Sequence, residues 1–346
     1  MSSHLEAELH EQPAALRRLI ERQRSYAEQI GDLFRSNDVQ YILIASRGSS
    51  SNAARYAQYL LGRAHRVPVA FATPSLFTLY EQPPRLDGAL VIGISQSGKS
   101  PDVVEVVAEA RRQGRPTVAL TNSPASPLGM AADAVLKLEA GNEHAVAATK
   151  TYVNSLGAVA LLFATTTDDA QAMAELERLP ERLEAQLECS WRDLAKLDGF
   201  GGIGGGTVVA RGINFCTASE IALKIRELSG LLFESYSAAD LMHGPVAAIA
   251  AGWPVIAVAP SGPAFGAMVD AVDAVDRRGA RTIVISGDEA LLARGEVGLP
   301  LLPDVPEWLS PLVAVVPGQL AALRLAQLRG IDLDQPLGLS KVTLTR

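Results

Sequence analysis

Two loops in this chain carry more hydroxyl groups than a turn requires. The first is Gly48-Ser49-Ser50-Ser51-Asn52 and the second is Ser95-Gln96-Ser97-Gly98-Lys99-Ser100. Each follows a short apolar run, residues 41–45 or 90–94, and each leads into a helical pattern. At a helix N-terminus the unpaired N–H groups and the dipole favour an anion, and serine hydroxyls and the Gln96 amide add neutral donors. Gly98 lets the backbone come close. Ser51 or Ser100 could instead cap a helix, but a cap occupies one serine per loop and leaves the rest without a task. The pattern therefore points to a cradle for a phosphate group. Gly93 to Ser100 is also a formal match to G-x-x-x-x-G-K-S. A nucleotide site needs an acidic magnesium ligand at the end of a nearby apolar strand, and none is evident; Pro101 follows directly.

A second group lies further along. Glu220, Lys224 and Glu227 fall at i, i+4 and i+7 of a helical segment and share one face. Glu234, Tyr236 and then His243-Gly244-Pro245 come after it. Alone, the triplet reads as a solvated Glu–Lys stripe. In company with a phosphate cradle, a carboxylate, a lysine and a histidine are the groups that open a sugar ring and move a proton between its carbons.

The elements that must position these residues alternate. Strands are expected over 41–45, 67–72, 90–95, 117–121 and 135–138, with helices over 5–34, 52–61, 102–113 and 147–164. Such alternation means βαβ units and a parallel sheet. A charged helical stretch, 168–196, reads as a connector. The glycine run 199–206 precedes a strand at 207–210 rather than opening a helix, so it is an interdomain loop and not a dinucleotide fingerprint. After it the pattern repeats. Ile44-Ala45-Ser46-Arg47-Gly48 answers to Val208-Val209-Ala210-Arg211-Gly212, Val91-Ile92-Gly93-Ile94 to Val255-Ile256-Ala257-Val258, and residues 111–118 to 277–284. The second copy has Ala259-Pro260-Ser261-Gly262-Pro263-Ala264 where the first has the hydroxyl loop. The expected organisation is an N-terminal helix (1–36), a phosphate-binding α/β domain (37–166), the connector (167–198), a second α/β domain (199–330) and a tail (331–346).

Bulk properties exclude some classes. The 346 residues carry a net charge of −7, a poor basis for binding nucleic acid. Two cysteines, Cys189 and Cys216, cannot form a disulfide framework or a four-cysteine zinc site, and fit a reducing cytoplasm. The five histidines show no metal-ligand spacing. The N-terminus lacks the apolar core of a signal peptide, and no apolar run is expected to span a bilayer or dock a membrane. No metal and no cofactor are expected.

From about residue 40 onward the chain resembles the sugar isomerase (SIS) superfamily, and is similar to the isomerase half of glucosamine-6-phosphate synthase. The resemblance rests on five motifs in order. They are Ile94-Ser95-Gln96-Ser97-Gly98; Ala147-Ala148-Thr149-Lys150 for V-A-S-T-K; Ala222-Leu223-Lys224-Ile225-Arg226-Glu227 for A-L-K-L-K-E; His243-Gly244-Pro245 for K-H-G-P; and Asp332 to Thr343 for D-x-D-x-P…L-A-K-S-V-T. It implies an α/β fold of two tandem domains, each a three-layer αβα sandwich with a mainly parallel, flavodoxin-like sheet. It implies that Ser49, Ser50, Ser95, Gln96, Ser97 and Ser100 hold a sugar 6-phosphate, with Val146, Ala148 and Glu220 among the substrate contacts. Glu227 would carry the proton between C1 and C2, Lys224 would stabilise the enediol-type intermediate, His243 would open the ring from across a homodimer interface, and Lys341 would contact the open-chain sugar.

The synthase has a glutaminase with an N-terminal cysteine, whereas this sequence opens Met1-Ser2-Ser3. The expected reaction is accordingly deamination of glucosamine 6-phosphate to fructose 6-phosphate. Ala148 in place of a serine, Lys99 in place of a glutamate and Met242 in place of a lysine leave room for other substrates. The alternatives are a fructosamine-phosphate deglycase, an ammonia-dependent aminosugar-phosphate synthase and a sugar-phosphate-binding regulator without turnover.

Overall fold

The computed structural model describes residues 3–36, 38–167, 169–334 and 341. Most of the tail motif, including Gln335, Pro336, Leu339, Ser340, Val342 and Thr343, lies outside the described residues. The chain divides into two compact units, one of residues 11–144, 148–180 and 341, the other of residues 3–10, 145–147 and 181–334.

In the first unit five strands form one parallel sheet: β1 (Tyr41–Ser46), β2 (Val69–Phe71), β3 (Ala89–Ile94), β4 (Thr117–Thr121) and β5 (Ala134–Lys137). Their order is β2-β1-β3-β4-β5. β3 and β4 are buried at every position, as unbroken apolar runs in a doubly covered parallel sheet must be. One face, carrying Leu43, Ala45, Val91 and Ala119, packs on Val103, Val106, Val107 and Ala110 of the helix Pro101–Arg112 and on Leu128. Strand alternation turns Ile42, Ile44, Leu90 and Ile92 to the other face, where the helices Gln12–Ser36, Ser49–His65 and Lys150–Thr166 lie.

The second unit repeats this plan. β6 (Gly205–Ala210), β7 (Leu232–Ser237), β8 (Pro254–Ala259), β9 (Arg281–Ser286) and β10 (Val297–Pro300) are all parallel, in the order β10-β9-β8-β6-β7. Read from the other edge, this is the order of the first sheet. Val209, Val255, Ala257 and Val284 face the helix Phe265–Asp276. On the opposite face the helices Phe215–Ser229 and Ser310–Leu328 pack against each other.

Three expectations change. The helix expected over 5–34 is two helices, His4–His10 and Gln12–Ser36, and Pro13 sits in the first turn of the second, where its missing N–H costs nothing. The helix expected from residue 147 begins at Lys150, with Thr149 as its N-cap residue, so Ala147 and Ala148 belong to an irregular lead-in. Finally, Glu307–Leu328 is long and apolar enough to cross a membrane by length and composition. It is apolar all round because 94% of its 18-residue apolar window is buried inside the protein, the pattern of a core helix.

Gly318 sets how closely the Ser310–Leu328 helix approaches the Phe215–Ser229 helix, which carries Glu220, Lys224 and Glu227. A Cβ at Gly318 would lie 2.2 Å from Ile221 Cγ1. Gly318→Ala is therefore expected to cost roughly 1–3 kcal/mol of stability through overpacking. At about 2–4 °C per kcal/mol, thermal unfolding detects this directly, and an unchanged Tm would contradict the packing described.

Candidate functional site

β1 and β3 are neighbours in register from Tyr41 opposite Ala89 to Ser46 opposite Ile94, so the two hydroxyl loops leave adjacent strand ends. Because β2 lies on one side of β1 and β3 on the other, the chain departs in opposite directions there. This opens the crevice where α/β sheets bind ligands.

The serines are not helix caps. Gly48, with φ of 54°, is the N-cap residue of the Ser49–His65 helix, and the Ser51 hydroxyl meets that of Ser46 at 3.2 Å. Ser100 stands at the N-cap position of the Pro101–Arg112 helix but makes no side-chain capping bond. Ser95 and Ser97 shape their own loop: Ser95 Oγ accepts from Gly98 N at 3.2 Å and Ser97 Oγ from Lys99 N at 3.3 Å. The end of β4 fixes the Gln96 backbone, since Gln96 O accepts from Asn122 N at 3.1 Å and from Thr121 Oγ1 at 3.3 Å. Among the described residues, the Ser50 and Ser100 hydroxyls and the Gln96 amide are half-buried and meet no protein partner. Gly98 has φ of 63°, and a Cβ there would lie 1.9 Å from Ser126 Oγ, so no other residue fits this turn.

Three residues of this unit were not singled out from the sequence. Arg47, the first residue after β1, donates from Nε to Asp102 Oδ2 at 2.6 Å and joins the two loops. Asp102 is buried in the first turn of the Pro101–Arg112 helix, where its Oδ1 accepts from Val103 N at 2.9 Å. Glu143 is buried ahead of the Lys150–Thr166 helix. Its Oε1 accepts from Thr149 N and Thr151 N, each at 3.0 Å, and its Oε2 accepts from Thr151 Oγ1 at 2.6 Å and from Lys341 Nζ at 2.7 Å. Lys341, from the tail, is thus tied to the motif that begins at Ala147. The lysine of that motif, Lys150, is buried and paired with Glu11. The Thr149 hydroxyl is buried and has no partner among the described residues. Ala148 is half-buried beside it.

In the second unit the Glu220–Lys224–Glu227 face is not a solvated stripe. Glu220 is fully buried and Lys224 is 1% exposed. Lys224 Nζ lies 3.6 Å from Glu220 Oε1 and is hydrogen-bonded to Glu227 Oε2. Only Glu227, at 25% side-chain exposure, reaches solvent. The arrangement is a buried ammonium between one sealed carboxylate and one accessible carboxylate. His243 follows the helix Ala238–Met242 and is exposed. Val146 is half-buried in the irregular lead-in. Among the described residues no group of three or more His, Cys, Asp and Glu side chains could hold a metal ion.

Burial pushes the Glu143 carboxyl up, but the charge of Lys341 and the hydrogen bonds from Lys341 and Thr151 outweigh it and hold the group below the usual carboxylate range. A carboxyl with a lowered folded-state pKa contributes stability above the ordinary value of about 4.3, and that contribution is lost as pH falls through the lowered value. Glu143→Gln is therefore expected to be less stable than wild type at pH 7 and to lose less on acidification to pH 3. Unfolding curves at the two pH values check this; parallel losses in both proteins would contradict it.

Comparison with known proteins agrees with the two-sheet architecture. The SIS domain model matches residues 36–165 and 207–329, one segment for each sheet. The isomerizing glutamine–fructose-6-phosphate aminotransferase of Pyrococcus horikoshii is 35% identical over 347 residues, covering 96% of this chain and 56% of that protein. The chain thus spans little more than half the length of the curated relatives it matches. A presumed phosphosugar isomerase of Silicibacter pomeroyi is 32% identical, with a TM-score of 0.87 over 96% of this chain and 99% of that one. A glucosamine-6-phosphate deaminase of Thermotoga maritima shares the fold, with a TM-score of 0.77 at 21% identity over 99% of this chain and 100% of that one. With both sheets matched and that identity across nearly its whole length, the chain belongs to the SIS-domain family.

Proposed function

We propose that this chain isomerises aminosugar phosphates, and that its reaction is the deamination of glucosamine 6-phosphate: the sugar phosphate and one water give fructose 6-phosphate and ammonia. The observation that carries this reading is the buried Lys224 with Glu227 beside it as the accessible carboxylate. Moving a proton between adjacent carbons takes one base that can release what it has removed, and the oxygen that gains charge meanwhile takes a fixed cation. Glu227 takes the proton from C2 of the open-chain sugar and returns it to C1, while Lys224 balances the charge that develops on O1. The C2 imine so formed adds water, and the carbinolamine expels ammonia as the C2 carbonyl forms. Water is the one co-reactant this direction requires.

The remaining roles follow from the chemistry of each group. Ser49, Ser50, Ser95, Gln96, Ser97 and Ser100 hold the 6-phosphate, with the unpaired donors of Ser50, Gln96 and Ser100 supplying the strongest contacts. Lys341, held by Glu143, contacts the open-chain sugar, and Val146, Ala148 and Glu220 complete the surroundings. His243, exposed in one chain, opens the ring of a substrate held by the second chain of a homodimer. The names of the relatives support an isomerising activity on sugar phosphates; the release of ammonia is the finer reading.

The test is ammonia release from glucosamine 6-phosphate by the purified chain. Wild type is expected to release it, and Glu227→Gln to lose roughly 10²–10⁴ in kcat while still binding the sugar phosphate. Binding without release by wild type would overturn deamination of this substrate. Turnover of a fructosamine phosphate in its place would move the reading to a deglycase, and binding without turnover of either to a sensor.

A further inference from the structure

The guanidinium of Arg47 is used in part. Nε is committed to Asp102, and the side chain is 53% exposed. The two terminal nitrogens carry four N–H donors that meet no acceptor among the described residues. Arg47 immediately precedes Gly48 and the Ser49–Ser51 run, and Asp102 lies two residues after Ser100. The ion pair therefore spans the crevice between the two loops.

Asp102 has little freedom of its own. Its carboxylate is 1% exposed, with one oxygen fixed by the backbone of its helix and the other by Arg47. A carboxylate anchored in this way fixes the plane and position of the guanidinium it holds, and so presents a flat fork of donors that suits phosphate.

The duplicated half supplies an internal comparison. It keeps the arginine, Arg211, at the matching position after β6, but Gly266 stands where Asp102 stands in the first copy. There the arginine donates to Ser237 Oγ at 3.0 Å instead. The half without the hydroxyl cluster is also the half without the acid that would aim its arginine.

We propose that Arg47 is a ligand of the substrate's phosphate, donating from its terminal nitrogens, and that Asp102 is the positioning residue that aims it. This rests on the reading of the hydroxyl loops as a phosphate cradle. It supplies the cradle with a fixed cation next to its neutral donors, and makes binding depend on the charge of the anion as well as on its shape.

Calorimetric titration of the full chain with inorganic phosphate and with glucosamine 6-phosphate tests this without requiring turnover, so failure of the deamination reading leaves the test intact. Arg47→Met is expected to weaken phosphate binding by about tenfold to a hundredfold, the worth of one charge-assisted hydrogen bond or more. That variant also leaves the buried Asp102 unpaired, so Arg47→Met combined with Asp102→Asn is the decisive protein: it removes both charges and keeps the bond to Val103 N. Continued weak binding by the double variant, with part of the affinity restored by Arg47→Lys alone, supports the assignment. Wild-type affinity in the double variant would show that Arg47 serves only to neutralise Asp102 and would overturn the proposal. A wild-type chain that binds neither phosphate nor the sugar phosphate would overturn the cradle and the role of Arg47 together.

Discussion

The parallel register of β1 on β3, from Tyr41 opposite Ala89 to Ser46 opposite Ile94, brings the two strands to an end level with each other. Neighbouring strands lie about 4.8 Å apart, so two loops that diverge from level strand ends start within reach of a single small anion. A slip of one residue would exchange the faces of β3, turning Val91 away from the Pro101–Arg112 helix and Ile92 toward it. The hydrophobic core therefore enforces the geometry of the polar crevice. The same packing seats the Pro101–Arg112 helix, and with it Asp102, which reaches back to Arg47 on the other loop. The polar side chains of the crevice are few, and each stands at the end of an element held by apolar contacts.

The second polar constellation depends on burial. An ammonium as enclosed as that of Lys224 is costly to desolvate, and removing one partner of a buried pair costs about 3–5 kcal/mol. Two carboxylates share this one cation. Glu220 is sealed in and offsets the desolvation of Lys224, while Glu227 holds the same ammonium from the solvent side. The i, i+4, i+7 spacing is what lets one helix supply all three groups.

Much of this could be read from the residues. The alternation of short apolar runs and helices gave both parallel sheets, and the matched segments gave their equivalence, because β strands buried on both faces write themselves as unbroken apolar stretches. The hydroxyl loops stood out because three serines exceed the needs of a cap. What could not be read were facts of burial and of distance along the chain. Glu220 and Lys224 carry the spacing of a solvated stripe, and nothing local says that the Ser310–Leu328 helix covers part of that helix. Arg47 and Asp102 are 55 residues apart and Glu143 and Lys341 are 198 apart, so neither pair leaves a local signature. The break before Gln12 was legible in Pro13, and the long amphipathic pattern across it concealed the signal.

The two halves show how one sheet plan accommodates two different polar settings. At the turn after β3, Gly98 is crowded by neutral hydroxyls, those of Ser126 and Thr121. At the matching turn after β8, a Cβ on Gly262 would lie 2.8 Å from Glu307 Cγ and 3.0 Å from Glu307 Cβ, so an acidic side chain stands over the position. A phosphate placed there would meet a carboxylate, and the arginine–aspartate pair of the first copy has no counterpart, since Gly266 stands in place of Asp102. The second copy is therefore disqualified as an anion site by its packing as well as by its missing serines. Its Glu220, Lys224 and Glu227 lie instead on the Phe215–Ser229 helix, away from the strand ends. Strand ends expose backbone donors and suit a ligand that brings its own negative charge, whereas a helix face partly covered by a neighbouring helix can hold a lysine and one carboxylate out of water with a second carboxylate at its edge. The duplication keeps the scaffold constant, and the two copies place their polar residues at different positions on it.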